Sequence, residues 1–162
     1  VRTLKQRGSW TGRIHIHKLL FIADVLELAE PPFEFELYQY GPYSFELDAV
    51  VAQMEVFGYI EKVYPKPGYG PQYLTTDLGN EEADQLDKPS ADAIRRVADH
   101  IARIDSGSLE RIATCMWVER RERPEDENAI TARVRKLKPR YDERQVRASL
   151  LRSRRLTRAL TT

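Results

Sequence analysis

A chain of 162 residues can bury one ordinary core, or two small ones packed together. Hydrophobic residues at 41% and charged residues at 31% describe a globular protein with a charged surface, and the longest apolar run, Leu19 to Ala23, is far too short to cross a bilayer. The formal net charge of +1 hides an asymmetry: residues 119–162 carry 14 Lys and Arg against 7 Asp and Glu, whereas residues 1–118 carry 12 against 18. An acidic front and a basic tail imply either an anionic partner for the tail or attraction between the two parts.

The single cysteine, Cys115, cannot form an internal disulfide and suits a reducing compartment. It sits in "LERIATCMWV" as a small buried hydrophobe, with no His or Asn/Asp placed to make it a nucleophile. No basic-then-apolar leader opens the chain, so a cytoplasmic location is expected, away from membranes. The chain lacks an initiator Met. Residues 1–8 read as the end of a longer first helix, or Val1 as the product of a non-standard start codon.

Helical spacing begins after "GSWTGR" with Ile14, Leu19, Phe21, Ile22, Val25 and Leu28, with Thr11 as N-cap and a stop before Pro31-Pro32. Residues 33–40 alternate, with Phe33, Phe35 and Leu37 on one face and Glu34, Glu36, Tyr38 and Tyr40 on the other, which predicts a short strand ended by Gly41-Pro42. Ser44 caps the next helix, whose inner face is Leu47, Val50, Val51, Met54 and Phe57 and which Gly58 closes. Runs 59–64 and 72–75 flank a Pro/Gly-rich tip and predict a hairpin, after which Thr75 or Thr76 caps "DLGNEEADQL". Lys88-Pro89 marks the subdomain boundary. Beyond it the signal is helical: Ser90 opens a segment with Ile94, Val97, Ile101 and Ile104. Ser108 opens one with Leu109, Ile112, Ala113, Met116 and Trp117 inward. Pro124 starts one with Ile130, Val134 and Leu137, and Asp142 starts one with Val146 and Leu150. The basic tail after Leu150 is expected to fray.

The fold class expected is therefore mainly α with a small β-hairpin: residues 1–88 winged-helix-like, residues 89–162 a helical extension with a basic tail. Two sets of residues carry a resemblance. "YLTTDLG" at 73–79 is similar to the Y-x-L-T-x-x-G exit from the wing of many winged-helix regulators, although here Leu74 follows Tyr73 directly. "KLLFIAD" at 18–24 followed by "YGPYSFEL" at 40–47 resembles the K-L-x-F/Y and Y-G-P-x-S-x-E-L pattern of YwgA-like proteins and of the Panacea (SocA-type antitoxin) domains. "LERIATCMWV" and "KPRYDERQVRASL" resemble the helical second half of the YwgA-like group. One departure is His17-Lys18, where those relatives often carry Gln before the Lys-Leu pair. The resemblance implies a winged-helix-like fold and a binding role, with neutralisation of a toxin by protein contact in the antitoxin-type domains. It supplies no catalytic set.

The Tyr-Gly-Pro-Tyr-Ser turn reads first as a corner: Gly41 permits an unusual φ, Pro42 fixes the next, and Ser44 caps a helix. Its functional reading is a phenolic patch of Tyr38, Tyr40 and Tyr43, with Glu46, gripping a protein partner. DNA binding is the usual role of a winged helix, but the helix before the wing carries Glu46, Asp48 and Glu55 and no cation, which opposes phosphate contact. Candidate nucleic-acid contacts are Lys62 and Lys66 of the wing and Arg152, Arg154 and Arg155 of the tail, each arginine a planar donor fork for phosphate. A solvated basic face, or one paired to the acidic front, accounts for the same charges. His15 and His17 stand two apart and point in different directions on a helix, and no H-E-x-x-H or C-x-x-C spacing occurs, so no metal, no cofactor and no catalytic residue is expected. Glu34 and Glu36 lie on an exposed strand face with nothing to mark an acid/base couple.

The function expected is a non-catalytic binding or regulatory protein, a protein-binding winged-helix module of antitoxin-like type. The alternative is a DNA-binding transcriptional regulator, dimeric, using the wing and the basic C-terminal helices. The apolar stripes of 90–120 serve a dimer interface or an internal core equally well.

Overall fold

A computed structural model describes all 162 residues. Eight α-helices and two short antiparallel hairpins make a mainly α fold with little sheet: α1 Arg2–Gln6, α2 Arg13–Val25, β1 Glu36–Tyr38, β2 Gly41–Tyr43, α3 Phe45–Val56, β3 Ile60–Val63, β4 Gln72–Thr75, α4 Asp77–Ala83, α5 Lys88–Ile101, α6 Ser106–Trp117, α7 Glu127–Leu137 and α8 Glu143–Thr161. A π-helical turn, Val118–Glu122, continues α6 and stops at Arg123, which takes a left-handed φ of 51°. No helix is long and apolar enough to cross a membrane.

The N-terminal elements depart from expectation at their ends. Gly12, not Thr11, is the N-cap of α2. The Thr11 hydroxyl is wholly buried and donates instead to the Tyr73 carbonyl at 2.6 Å, while the Tyr73 amide donates to the Thr11 carbonyl. Thr11 thus stitches the start of α2 to β4. At its other end α2 stops at Val25, well before the prolines, because Glu27 takes a φ of 55° and the Leu28 amide folds back onto the Ala23 carbonyl.

The run 33–40 is not one strand ended by Gly41-Pro42. Its strand is only Glu36–Tyr38, and the chain reverses at Gln39-Tyr40 so that Gly41 and Pro42 lie inside the returning strand, opposite Tyr38 and Leu37. The second hairpin matches expectation, with Ile60 opposite Thr75 and Val63 opposite Gln72. Ser44 caps α3, its Oγ accepting from the Leu47 amide at 3.2 Å, and Gly58 takes φ 76° after the helix. Thr76 caps α4, and its hydroxyl also donates to the Gly58 carbonyl at 2.6 Å. Gly79 is required by close approach: a Cβ there would lie 1.9 Å from the Tyr59 carbonyl oxygen. The "TTDLG" exit from the hairpin is therefore a packing device that seats α4 against Tyr59.

Later caps shift by a few residues. Asp87 rather than Ser90 caps α5, Asp105 rather than Ser108 caps α6, and Asp126 rather than Pro124 begins α7. Each carboxylate accepts the N3 amide and sits where the helix dipole favours negative charge. Asp142 caps α8 within a reciprocal capping box with Gln145.

The larger core joins residues on both sides of position 88. Leu19, Phe21, Ile22, Leu47, Val51, Ile60 and Tyr73 pack with Val97, Ile101, Leu109, Ile112 and Met116. A smaller core of Cys115, Val118, Ile130, Val134, Tyr141, Val146 and Leu150 lies on the other side of α6. Helix α6 thus runs between the two cores. The tail does not fray: α8 continues to Thr161, and Leu156 and Leu160 return to the larger core. The apolar spacing that sets this face, Val146, Leu150, Leu156 and Leu160, continues past the basic run and holds it in the helix.

Candidate functional site

The turn at 38–44 is held from beneath by residues distant in sequence. Lys18 Nζ donates to the Pro42 carbonyl at 2.7 Å. Lys138 Nζ donates to the Tyr38 and Gln39 carbonyls at 2.5 and 2.7 Å. The Ser44 amide donates to Nδ1 of His17 at 3.2 Å. Gly41 has φ 83°, and a Cβ would sit 3.0 Å from Thr114 Oγ1 and 3.4 Å from Lys18 Cε. The Lys-Leu pair, the Tyr-Gly-Pro-Tyr-Ser turn and the later Lys-Pro-Arg-Tyr are thus one contact set, in which buried carbonyls of the turn receive their donors from two lysines.

Burial sets the charge of this set. The Lys18 side chain is 1% exposed, and burial pulls its ammonium down to about 7, against the pull of the Glu110 carboxylate. Burial, with Lys18 and Arg13 adding, pushes His17 down to about 3, so the ring is neutral at ordinary pH. Because its Nδ1 accepts from Ser44, its hydrogen sits on Nε2. That Nε2 has no hydrogen-bond partner, and the nearest carboxylate oxygen, Asp48 Oδ1, is 4.0 Å away. Glu110 is itself buried and ion-paired with Arg140.

The rings of the turn face the other way. Tyr43 stacks on His17 with centroids 4.1 Å apart and planes 4° apart, and its hydroxyl is pushed up to about 12 by burial and by the Asp48 carboxylate. Tyr38 meets both Tyr43 and Phe45, at 5.7 and 5.2 Å, and is half-exposed, as is Tyr40. Glu46 is exposed and its Oε2 accepts from the Glu34 amide. Tyr38 and Tyr43 therefore gather around Phe45. Tyr40 lies beneath the Arg140 guanidinium at 5.6 Å and, with Tyr38 and Tyr43, lines a cleft beside the turn.

From Phe45 an apolar stripe runs along the outer face of α3. Phe45 is 54% exposed and Val56 82%, with Ala49 and Ala52 exposed between them at helical spacing and Phe57 66% exposed just beyond. Phe57 was expected inward and instead faces solvent. Only Leu47 and Val51 of this helix are fully buried, because α3 is apolar on both faces and the core covers one. Exposed Glu34, Glu36 and Glu46 border the Phe45 end.

The expected nucleic-acid residues are differently situated. Lys62 is paired with Glu55 at 2.7 Å, and Lys66 lies over the Tyr69 ring at 5.1 Å. Arg154 is clamped between Glu119 and Glu127 at 2.8 and 2.9 Å. Arg152 and Arg155 are exposed and make no ion pair. Much of the remaining basic excess is occupied internally: Arg121 holds Asp24, Arg133 holds Glu122, and Arg147 holds Glu143. Cys115 is wholly buried in the smaller core, and burial pushes its thiol up to about 12.

A cleft of about 920 Å³ opens beside the turn, between the start of α2, the tip of the β3–β4 hairpin and the α5–α6 connection. Trp10, Arg13, Tyr69 and Arg103 line it, and none of these stood out in the sequence. Their signal is weak because each lies in a loop or at a helix edge, where no periodicity marks it. His15 and His17, two apart on α2, both line it as well.

No protein-family model matches the chain. The chain is similar to the uncharacterised protein YwgA of Bacillus subtilis (strain 168), 25% identical over an alignment of 150 positions that covers 88% of each chain. That similarity supports a YwgA-like grouping and carries no activity with it.

Proposed function

We propose that the chain is a protein-binding module that seats its partner on the outer face of α3. The carrying observation is the exposed apolar stripe from Phe45 to Val56, continuous with Tyr38 and bordered by carboxylates. An apolar strip that the core leaves uncovered is stabilised by burial against another surface. The acidic border selects a partner with an apolar centre and a basic rim, and disfavours phosphate. The order of α2, α3 and the β3–β4 hairpin supports a winged-helix scaffold in which α3 holds the position that reads DNA in regulators of that kind. Here its outward side chains lack any cation. A toxin neutralised by contact is one partner of this description.

The second reading, a DNA-binding regulator, rests on Arg152 and Arg155, exposed and unpaired on α8. Affinity recovery from cells that express the tagged chain separates the two. The protein reading expects one partner at stoichiometric ratio, lost with Phe45→Glu/Val56→Glu and kept with Arg152→Glu/Arg155→Glu. Steeply salt-dependent binding of random duplex DNA, lost with the arginine variant alone, would replace it with the nucleic-acid reading.

A further inference from the structure

A surface with an apolar centre and a basic rim, the kind that α3 selects, exists on the chain itself. The outward positions of α3, Phe45, Ala49, Ala52 and Val56, follow one another at steps of four, three and four residues. On the outer face of α8 the exposed positions Arg144, Ala148, Leu151 and Arg155 follow the same steps. Helix α3 has 12 residues and the α8 strip runs from Arg144 to Arg155, so both strips are about 18 Å long. Leu151 is 49% exposed, whereas the other leucines of that strip and beyond it, Leu150, Leu156 and Leu160, are buried.

The two strips differ in relief and in charge, and the differences are complementary. Ala49 and Ala52 leave a low seat between Phe45 and Val56, and Leu151 stands up as a single ridge beside Ala148. Exposed Glu34, Glu36 and Glu46 border the α3 strip, and α3 contains no Lys or Arg. Arg144, Arg152 and Arg155 are exposed and none is in an ion pair. The carboxylates near Leu151, Glu127 and Glu143, are held by Arg154 and Arg147, each at 2.9 Å. The α8 rim therefore stays positive after its internal pairing. Both strips are exposed, so neither covers the other within one chain.

We propose that in the free protein the α3 strip of one copy docks on the α8 strip of a second, with Leu151 seated over Ala49 and Ala52 and the arginines facing the Glu34, Glu36 and Glu46 border. The inference rests on the reading of α3 as a docking face and adds what covers that face until another partner competes for it. The contact joins two different patches of the same chain and is heterologous. Two short helices bury little area, so association with a Kd of about 10 to 100 µM is expected. Nucleic acid is the competing occupant of α8. It is less favoured because phosphate would leave Leu151 and Ala148 in water and would meet Glu127 and Glu143 beside them.

The test is sedimentation equilibrium of the intact chain from about 5 to 500 µM, a range that brackets that affinity. The wild type should exceed its monomer mass of 18.8 kDa increasingly with concentration. Phe45→Glu/Val56→Glu and Arg152→Glu/Arg155→Glu should each weaken association by about tenfold or more. An equimolar mixture of the two variants should form a 1:1 pair, because one keeps an intact α3 and the other an intact α8. Ala49→Arg, at the exposed middle of the α3 strip, serves in place of the first variant if that one fails to fold. A wild type that stays monomeric throughout overturns the proposal. Association that persists in Arg152→Glu/Arg155→Glu also overturns it, in favour of a contact without α8. A mixture that stays monomeric shows that the two strips do not meet. If the wild type is monomeric while the tagged chain still recovers a partner that Phe45→Glu/Val56→Glu loses, the second copy is ruled out and the α3 docking face stands.

Discussion

Two neighbouring stretches, 38–44 and 45–56, treat their side chains in opposite ways. In the turn, backbone carbonyls face inward and are met by Lys18 and Lys138, so its polar groups are satisfied by the protein itself. In α3, the core takes Leu47 and Val51 and leaves Phe45, Ala49, Ala52 and Val56 to solvent. The turn is the conspicuous motif, and its conspicuous residues are conformational: a glycine with no room for a Cβ, a proline, a capping serine. Past Leu47 the helix has no motif, and it carries the uncovered surface. A recognisable motif here marks where the chain must fold, and the helix beyond it carries apolar surface that the core leaves open.

The largest expected effect attacks the turn. Gly41→Ala forces a side chain into a left-handed φ and within 3.0 Å of Thr114 Oγ1. It should destabilise the protein by about 3 kcal/mol or more in chemical denaturation. A change below about 1 kcal/mol would show that the corner is looser than this contact set implies.

A smaller effect concerns pH. His17 has its folded value at about 3 and an ordinary value near 6.5 when unfolded. Between those limits the unfolded chain binds a proton that the folded chain refuses, so stability falls as pH drops below about 6.5, by up to about 1.4 kcal/mol per pH unit from this ring. His15, also lowered by burial, adds to the same loss. His17→Asn keeps an acceptor for the Ser44 amide and removes one titration, so its stability should decline less steeply between neutral pH and pH about 4. An unchanged slope in the variant would place the acid sensitivity elsewhere.

The smallest stability effect belongs to α3, where the contrast with the turn is sharpest. Phe45→Glu/Val56→Glu should change folding stability by about 1 kcal/mol, since both lie outside the core and the loss is confined to the contacts of the Phe45 ring with Tyr38 and Tyr43. The same variant should abolish partner recovery. A large loss of stability would mean that the stripe already serves the fold.

Legibility in the sequence followed the range of the interaction. The helices, the β3–β4 hairpin, the Ser44, Thr76 and Asp142 caps and the burial of Cys115 were all readable, because periodicity, capping and hairpin chemistry act within a few residues. The β1–β2 hairpin was misread as one strand, because a reversal at Gln39-Tyr40 leaves no turn dipeptide before Gly41-Pro42. The candidate tyrosines Tyr38, Tyr40 and Tyr43 line one cleft without Glu46, whereas Lys62 and Arg154 turned out to be held by Glu55 and Glu119.

By itself the sequence determined the inventory of elements, the apolar faces of most helices and the special conformation at Gly41. Tertiary structure alone decided that Lys18 and Lys138, 120 positions apart in the chain, converge on one turn, and that the tail packs through Leu156 and Leu160. It alone decided which cations stay free and that Trp10, Arg13, Tyr69 and Arg103 share a cleft. The reason is physical: local patterns encode which face of an element is apolar, while the partner of a charge or a carbonyl is whichever group the folded chain brings within a few ångströms.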